Sequence, residues 1–195
     1  FYRRLMNEQV HMAQRSDREI LRLPLRGGYA REAKNPVRGF AQSQRKRSLL
    51  LDRALAYRGT PYRWAGASGK GVDCSGLIVR ALYDLGRSVP HSASLLFHLG
   101  QPVEGHGLRP GDLVFFRDTY KPGISHVGVF QRGSQFVHAS SSAGHVTVGD
   151  IDSPYFRSRY AGARRLFPTP EDVAGGEQGP VSLGAVFAPL RLGPP

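Results

Sequence analysis

Apolar residues recur at helical spacing in the first half of the chain and at strand spacing in the second. Leu5, Met6, Val10, Ile20, Leu21 and Leu23 are spaced for a short helix that Pro24 interrupts. Residues 25–47 hold Gly27, Gly28, Pro36 and Gly39 among many basic and few apolar residues, which predicts an extended linker. Leu49, Leu50, Leu51, Ala54, Leu55 and Tyr57 fit one face of a helix, with Ser48 as N-cap and Gly59 just past its end. After a loop over residues 60–72, Asp73 can cap a second helix carrying Leu77, Ile78, Ala81, Leu82 and Leu85 on one side, with Gly86 as its stop. Beyond Leu108 the period shortens. Runs at 112–117, 127–131, 135–139, 146–148 and 161–166 are rich in Val and Phe and separated by Gly, Pro, Ser and Asp, the pattern of strands. Helices first and strands after predict an α+β domain with helices packed on a mostly antiparallel sheet. From Pro168 both periods fade, which predicts a disordered or irregularly packed tail over 168–195.

A chain of 195 residues accommodates one such domain with appendages. Charge changes the picture of its ends. The net charge is +12, and residues 1–47 carry 12 Lys/Arg against 4 Asp/Glu, so this arm supplies two thirds of the excess. A basic surface of this kind suits an anionic partner: nucleic acid, a membrane surface or an envelope polymer. The aromatic residues that nucleic-acid binding would need, Phe115, Phe116, Phe130 and Phe136, fall on strand patterns that read as core, so nucleic acid is not expected. No stretch reaches the roughly 20 apolar residues of a membrane span. The chain starts at Phe1 without an apolar signal-like run, as a mature or trimmed form would.

The chain has one cysteine, which excludes an intramolecular disulfide and the thiolate-rich metal sites. Cys74 falls in the first turn of the second helix, directly after its cap, where free backbone N–H groups and the helix dipole favour a thiolate. Its neighbours Asp73, Ser75 and Gly76 are polar or small, which suits substrate approach better than a core. A thiol nucleophile needs a base near neutrality, and histidine supplies one. His126 opens one strand and His138 lies near the end of the next, so the two can be neighbours on a hairpin. Side-chain parity puts them on one face only if the turn has an odd number of residues or a bulge shifts the register. A three-residue loop over 132–134 would pair Gln131 with Gln135 and satisfy that condition. His138 could then fix the tautomer of His126, as the third member of a catalytic triad does. The remaining histidines, His11, His91, His98, His106 and His145, show neither the spacing of zinc peptidases nor a nearby carboxylate pattern, so no metal or other cofactor is expected.

Five motifs in one order carry a further reading: Thr60-Pro61-Tyr62-Arg63-Trp64-Ala65-Gly66, Asp73-Cys74-Ser75-Gly76, Arg109-Pro110-Gly111-Asp112-Leu113-Val114-Phe115-Phe116, Ser125-His126-Val127-Gly128-Val129 and Phe136-Val137-His138-Ala139. Over about residues 48–167 the chain resembles the NlpC-type cysteine peptidases of bacterial cell walls. The resemblance implies a papain-like fold that cleaves peptidoglycan stem peptides, often between the γ-carboxyl of D-glutamate and a diamino acid. By position it implies Cys74 as nucleophile, His126 as base and His138 as the orienting residue. Tyr62 would stand beside the reacting carbonyl and, with the Cys74 N–H, stabilise the oxyanion. Asp73 and Ser75 match positions that hold the stem's free amine in some members, although Asp73 can equally act as a helix cap, and Trp64 lines the same cleft. Two departures bear on the cleft: Ala65 replaces a glycine, and Pro90-His91-Ser92-Ala93 stands where Pro-Arg-Thr-Ser is usual.

The expected function is therefore a peptidoglycan hydrolase, a D,L-endopeptidase working through an acyl-enzyme outside the cytoplasm, in the periplasm, in the envelope or secreted. A thiol amidase, an acyltransferase, or a lysin or toxin on the same scaffold is the enzymatic alternative. An envelope-binding module without catalysis is the other.

Overall fold

In the computed structural model the described residues are 36–104 and 107–174. The first of them form α1, Pro36–Ala56. Two short strands, β1 (Ala67–Ser68) and β2 (Gly71–Val72), pair as a small hairpin before α2, Cys74–Tyr83. A single turn, α3 (Ala93–Leu96), leads to β3 (Gln101–Val103). Strands β4 (Leu113–Arg117), β5 (Ile124–Arg132), β6 (Gln135–Ser140) and β7 (His145–Asp150) follow, and then α4 (Pro154–Arg157), β8 (Tyr160–Arg165) and α5 (Pro170–Ala174). The six longer strands make one sheet in the order β3-β8-β4-β5-β6-β7, with every neighbouring pair antiparallel.

Strand alternation divides the core in two. Leu113, Phe115, Val127, Val129, Val137 and Ala139 face α1 and α2, where Leu50, Ala54, Leu77, Ile78 and Leu82 meet them. Val114, Phe116, Phe130, Phe136 and Ala163 form a smaller cluster on the other face, closed by Phe156 and Tyr160.

Helix α1 starts twelve residues before Ser48, so the expected linker over 36–47 is helical and Ser48 lies inside the helix. Pro36 suits a helix start because it needs no N–H donor there. The early turns are held by a stripe at four-residue spacing. Pro170 packs over Gly39, its Cγ 3.5 Å from the place of a Cβ, an ordinary contact distance. Ser43 Oγ donates to Pro168 O at 2.8 Å, and Arg47 Nη1 donates to Phe167 O at 2.9 Å. The expected irregular tail is likewise ordered as far as residue 174. Thr169 N and Oγ1 donate to Asp172 Oδ2, and Asp172 Oδ1 accepts from Arg165 Nη1 at 2.7 Å. Arg165 also forks onto the fully buried Asp112, Nε to Oδ1 at 3.0 Å and Nη2 to Oδ2 at 2.8 Å. This buried bidentate pair ties β8 to the turn before β4. The expected helix over 1–23 and residues 175–195 lie outside the described residues.

Candidate active site

Asp73 ends the segment after β2 in extended backbone and caps α2, its Oδ1 accepting from Gly76 N at 2.7 Å. Cys74 thus occupies the first helical position, and its side chain is 5% exposed. Gly76 is required there, because a Cβ on it would collide with the carbonyl of Gly66. The segment 59–62 runs alongside β7: Gly59 N donates to Val146 O at 2.9 Å and Tyr62 N to Gly144 O at 2.8 Å. Tyr62 also pairs in parallel with Val72, two residues before Cys74. Its phenol is held well above the usual tyrosine range by burial and then by the neighbouring Cys74 and Asp73 charges.

Strand β5 brings His126 into place through a bulge. Phe116 pairs with His126 but Arg117 pairs with Ile124, so Ser125 is the extra residue. Its carbonyl accepts from Cys74 Sγ at 3.9 Å, and its side chain is pinned by Thr119, whose N lies 3.0 Å from Ser125 Oγ and whose Oγ1 lies 2.9 Å from it. Bulges commonly re-aim side chains beside active sites, and this one sits against the thiol. The β5–β6 hairpin departs from the three-residue loop expected above. Arg132 pairs with Gln135 across a two-residue turn, and the register shifts at Gln131. That shift supplies the parity, leaving both imidazoles on the face that carries Phe116, Phe136 and Phe156. His126 Nε2 and His138 Nδ1 are 2.9 Å apart, with the rings nearly perpendicular at 88°. His138 is 4% exposed.

Burial sets the protonation of the site. It pushes the Cys74 thiol up to about 12, with Asp73 adding to the rise and the N–H groups of Val127, Ser75 and Cys74 opposing it. Burial, followed by the His138 ring, lowers His126 to about 3, and burial lowers His138 to about 4. Burial thus works against the charged forms of the thiol and of both imidazoles, in opposition to the helix start, which favours a thiolate. The N–H donors are present, but loss of water outweighs them. With Nε2 donating to His138 Nδ1, the lone pair of His126 is on Nδ1, the ring nitrogen left for the thiol proton. The thiol's own hydrogen bond goes to the carbonyl of Ser125, the residue before His126.

The other expected residues surround Cys74 with different degrees of commitment. Asp73 is engaged as a cap: besides Gly76 N, Oδ1 accepts from Ser75 Oγ at 3.1 Å, and Oδ2 accepts from Ala65 N at 3.0 Å. Ser75 is buried. Ala65 takes that position with φ of 54°, where a glycine would be unstrained, so the departure noted in the sequence costs about 1 kcal/mol. Trp64 is 40% exposed and meets Tyr120 edge-to-face at 5.0 Å. Tyr120, itself 52% exposed, was not singled out from the sequence. Burial, then the Cys74 and Asp73 charges, raises its phenol to about 12. His91 lies with Nε2 2.8 Å from Asp73 Oδ1, a carboxylate partner 18 residues away in the chain. Among the described residues no group of three or more His, Cys, Asp or Glu could hold a metal ion.

A buried cysteine at a capped helix start, bonded to the carbonyl of the residue before one of two paired histidines on an antiparallel sheet, is the arrangement of the papain-like thiol peptidases. Residues 59–165 match the model of the NlpC/P60 family, and the chain belongs to that family. It is 38% identical over 121 residues to murein DD-endopeptidase MepS/murein LD-carboxypeptidase of Escherichia coli, covering 62% of this chain and 63% of that protein. It is 36% identical over 119 residues to gamma-DL-glutamyl hydrolase of Bacillus subtilis, covering 60% of this chain and 29% of that one. A crystal structure of an NlpC/P60 family protein from Bacillus cereus superposes with a TM-score of 0.58 at 31% identity, over 63% of this chain and 40% of that one. The chain thus spans less than two thirds of each of these relatives. No described helix is long and apolar enough to cross a membrane.

Proposed function

We propose that this chain is a peptidoglycan endopeptidase in which Cys74 attacks a stem-peptide carbonyl and His126 is the base. The observation that carries the reading is the 2.9 Å contact between His126 Nε2 and His138 Nδ1, with His126 one residue on from Ser125, whose carbonyl accepts from the Cys74 thiol. The thiol proton passes to His126 Nδ1 as sulfur bonds to the carbonyl carbon. The developing imidazolium is stabilised through its Nε2–H by His138, and the oxyanion by the Cys74 N–H and the Tyr62 hydroxyl. Imidazolium then protonates the leaving amine, and a water deprotonated by His126 opens the thioester. Asp73 and Ser75 border the first turn of α2 and contribute polar groups to the same cleft, while Trp64 and Tyr120 form its aromatic edge.

For the bond we infer the link between the γ-carboxyl of D-glutamate and the diamino acid. The names of the relatives support cleavage of peptidoglycan or glutamyl peptides but differ on the bond. Defined muropeptides decide it. A monomeric tetrapeptide stem should be cut between its second and third residues, whereas cleavage confined to the cross-link of a dimer would overturn this choice. The same reading places the protein outside the cytoplasm, where its substrate lies, and assigns the basic residues that precede α1, over 1–35, to the anionic wall.

A further inference from the structure

The Asp73 carboxylate collects four donors, and three of them come from nearby in the chain: Ala65 N, Ser75 Oγ and Gly76 N. The fourth, His91 Nε2 at 2.8 Å, reaches it from 18 residues away, from the segment that leads into α3. Both side chains are largely buried, with 8% of His91 and 14% of Asp73 exposed. The approach depends on Gly76, since a Cβ there would lie 3.0 Å from His91 Nε2. Donation from Nε2 withdraws charge from Oδ1 whichever state the ring is in, and fixes the plane of the carboxylate so that Oδ2 still meets Ala65 N. Asp73 is the residue before the nucleophile, and its negative charge opposes formation of the thiolate.

We propose that His91 is a positioning residue for the nucleophile, holding the Asp73 carboxylate against the first turn of α2 and drawing its charge away from Cys74. This rests on the reading of Cys74 as nucleophile given above. Cys74 is the chain's only cysteine, so iodoacetamide alkylation of the full chain reports its thiol without reference to turnover. The alkylation rate is measured against pH for the wild type, His91→Ala, His91→Gln and His91→Arg, with a thermal melt of each. Removing the donor in His91→Ala should move the midpoint up by about half to one pH unit, a threefold to tenfold slower reaction at any pH below it. His91→Gln, which keeps an N–H donor, should recover most of that shift, and His91→Arg, a permanent cation, should react with a midpoint below that of His91→Gln. A lowered melting temperature in His91→Ala with an unmoved midpoint would show packing alone and overturn the proposal. If His91→Ala does not fold, equal midpoints for the Gln and Arg variants would overturn it. Release of peptidoglycan fragments by the wild type, followed in parallel, separates the two ideas. Release with unmoved midpoints sinks the role of His91 alone, and shifted midpoints without release sink the peptidase reading alone.

Discussion

Replacing His138 tests the pairing on which the catalytic reading depends. Its Nδ1 stands 2.9 Å from His126 Nε2, and the proposed chemistry needs it to accept a proton-bearing bond there while His126 becomes cationic. A hydrogen bond to a group that gains charge in the transition state contributes about 1.5–3 kcal/mol. Removing it in His138→Ala should lower kcat/KM by about 10-fold to 150-fold, more if the freed ring turns away. The ring is also packed against Phe136 and Phe156, so the alanine variant loses stability as well, by about 2–3 kcal/mol from the lost burial and the cavity. His138→Asn separates the two effects. Its Oδ1 falls near the place of Nδ1 and accepts from His126 Nε2, so this variant should keep kcat/KM within about tenfold of the wild type. The assay is the initial rate on a soluble muropeptide, with folded fraction checked by near-UV circular dichroism. Equal rates for wild type, alanine and asparagine variants, all folded, would refute the claim that His138 orients the base.

Other expectations follow from groups outside the triad and from burial. Asp112→Ala leaves the buried Arg165 without its bidentate partner, and urea unfolding should show a loss of about 3–5 kcal/mol with the active-site chemistry of the folded fraction intact. Both histidines bind a proton less readily in the fold, at about 3 and about 4, than at the ordinary value of 6.5, so the unfolded chain holds more protons below pH 6.5. Stability should therefore fall as pH drops from about 6.5 toward 4, by about 1.4 kcal/mol per pH unit for each histidine, and His138→Asn should reduce that slope; a flat profile in equilibrium unfolding would contradict the burial argument. Deleting residues 1–35 should weaken binding to purified sacculi and flatten its dependence on salt, and unchanged binding across salt concentrations would remove the arm from the account.

The sheet was legible because its strands alternate cleanly: Leu113, Phe115, Val127 and Val129 face one core and Phe116, Phe130 and Phe136 the other. The start of α2 was legible because an aspartate cap precedes an apolar stripe, and that cap fixes where Cys74 sits. The first turns of α1 were not, since the residues that hold them, Ser43 and Arg47, bond backbone carbonyls and leave no apolar period to read. Strand β3 escaped because it is three residues long and contains Pro102. The same-face placement of His126 and His138 was foreseen as a condition, but the bulge at Gln131 that meets it has no local sequence mark. Tyr120 and His91 were missed for a different reason. Each acts through a contact between loops distant in sequence, with Trp64 in one case and Asp73 in the other. The only hint was His91 standing in a motif where the family usually has arginine.

The central claim is that the Cys74 thiol cleaves peptidoglycan. The most direct test is to digest purified sacculi with the protein and with Cys74→Ala, and to identify the released fragments by mass spectrometry. The account predicts stem-peptide fragments with new free carboxylates from the wild type and a release at least about a thousandfold slower from the variant. Equal release by both proteins would contradict it, as would a wild type that folds, binds the sacculi and releases nothing.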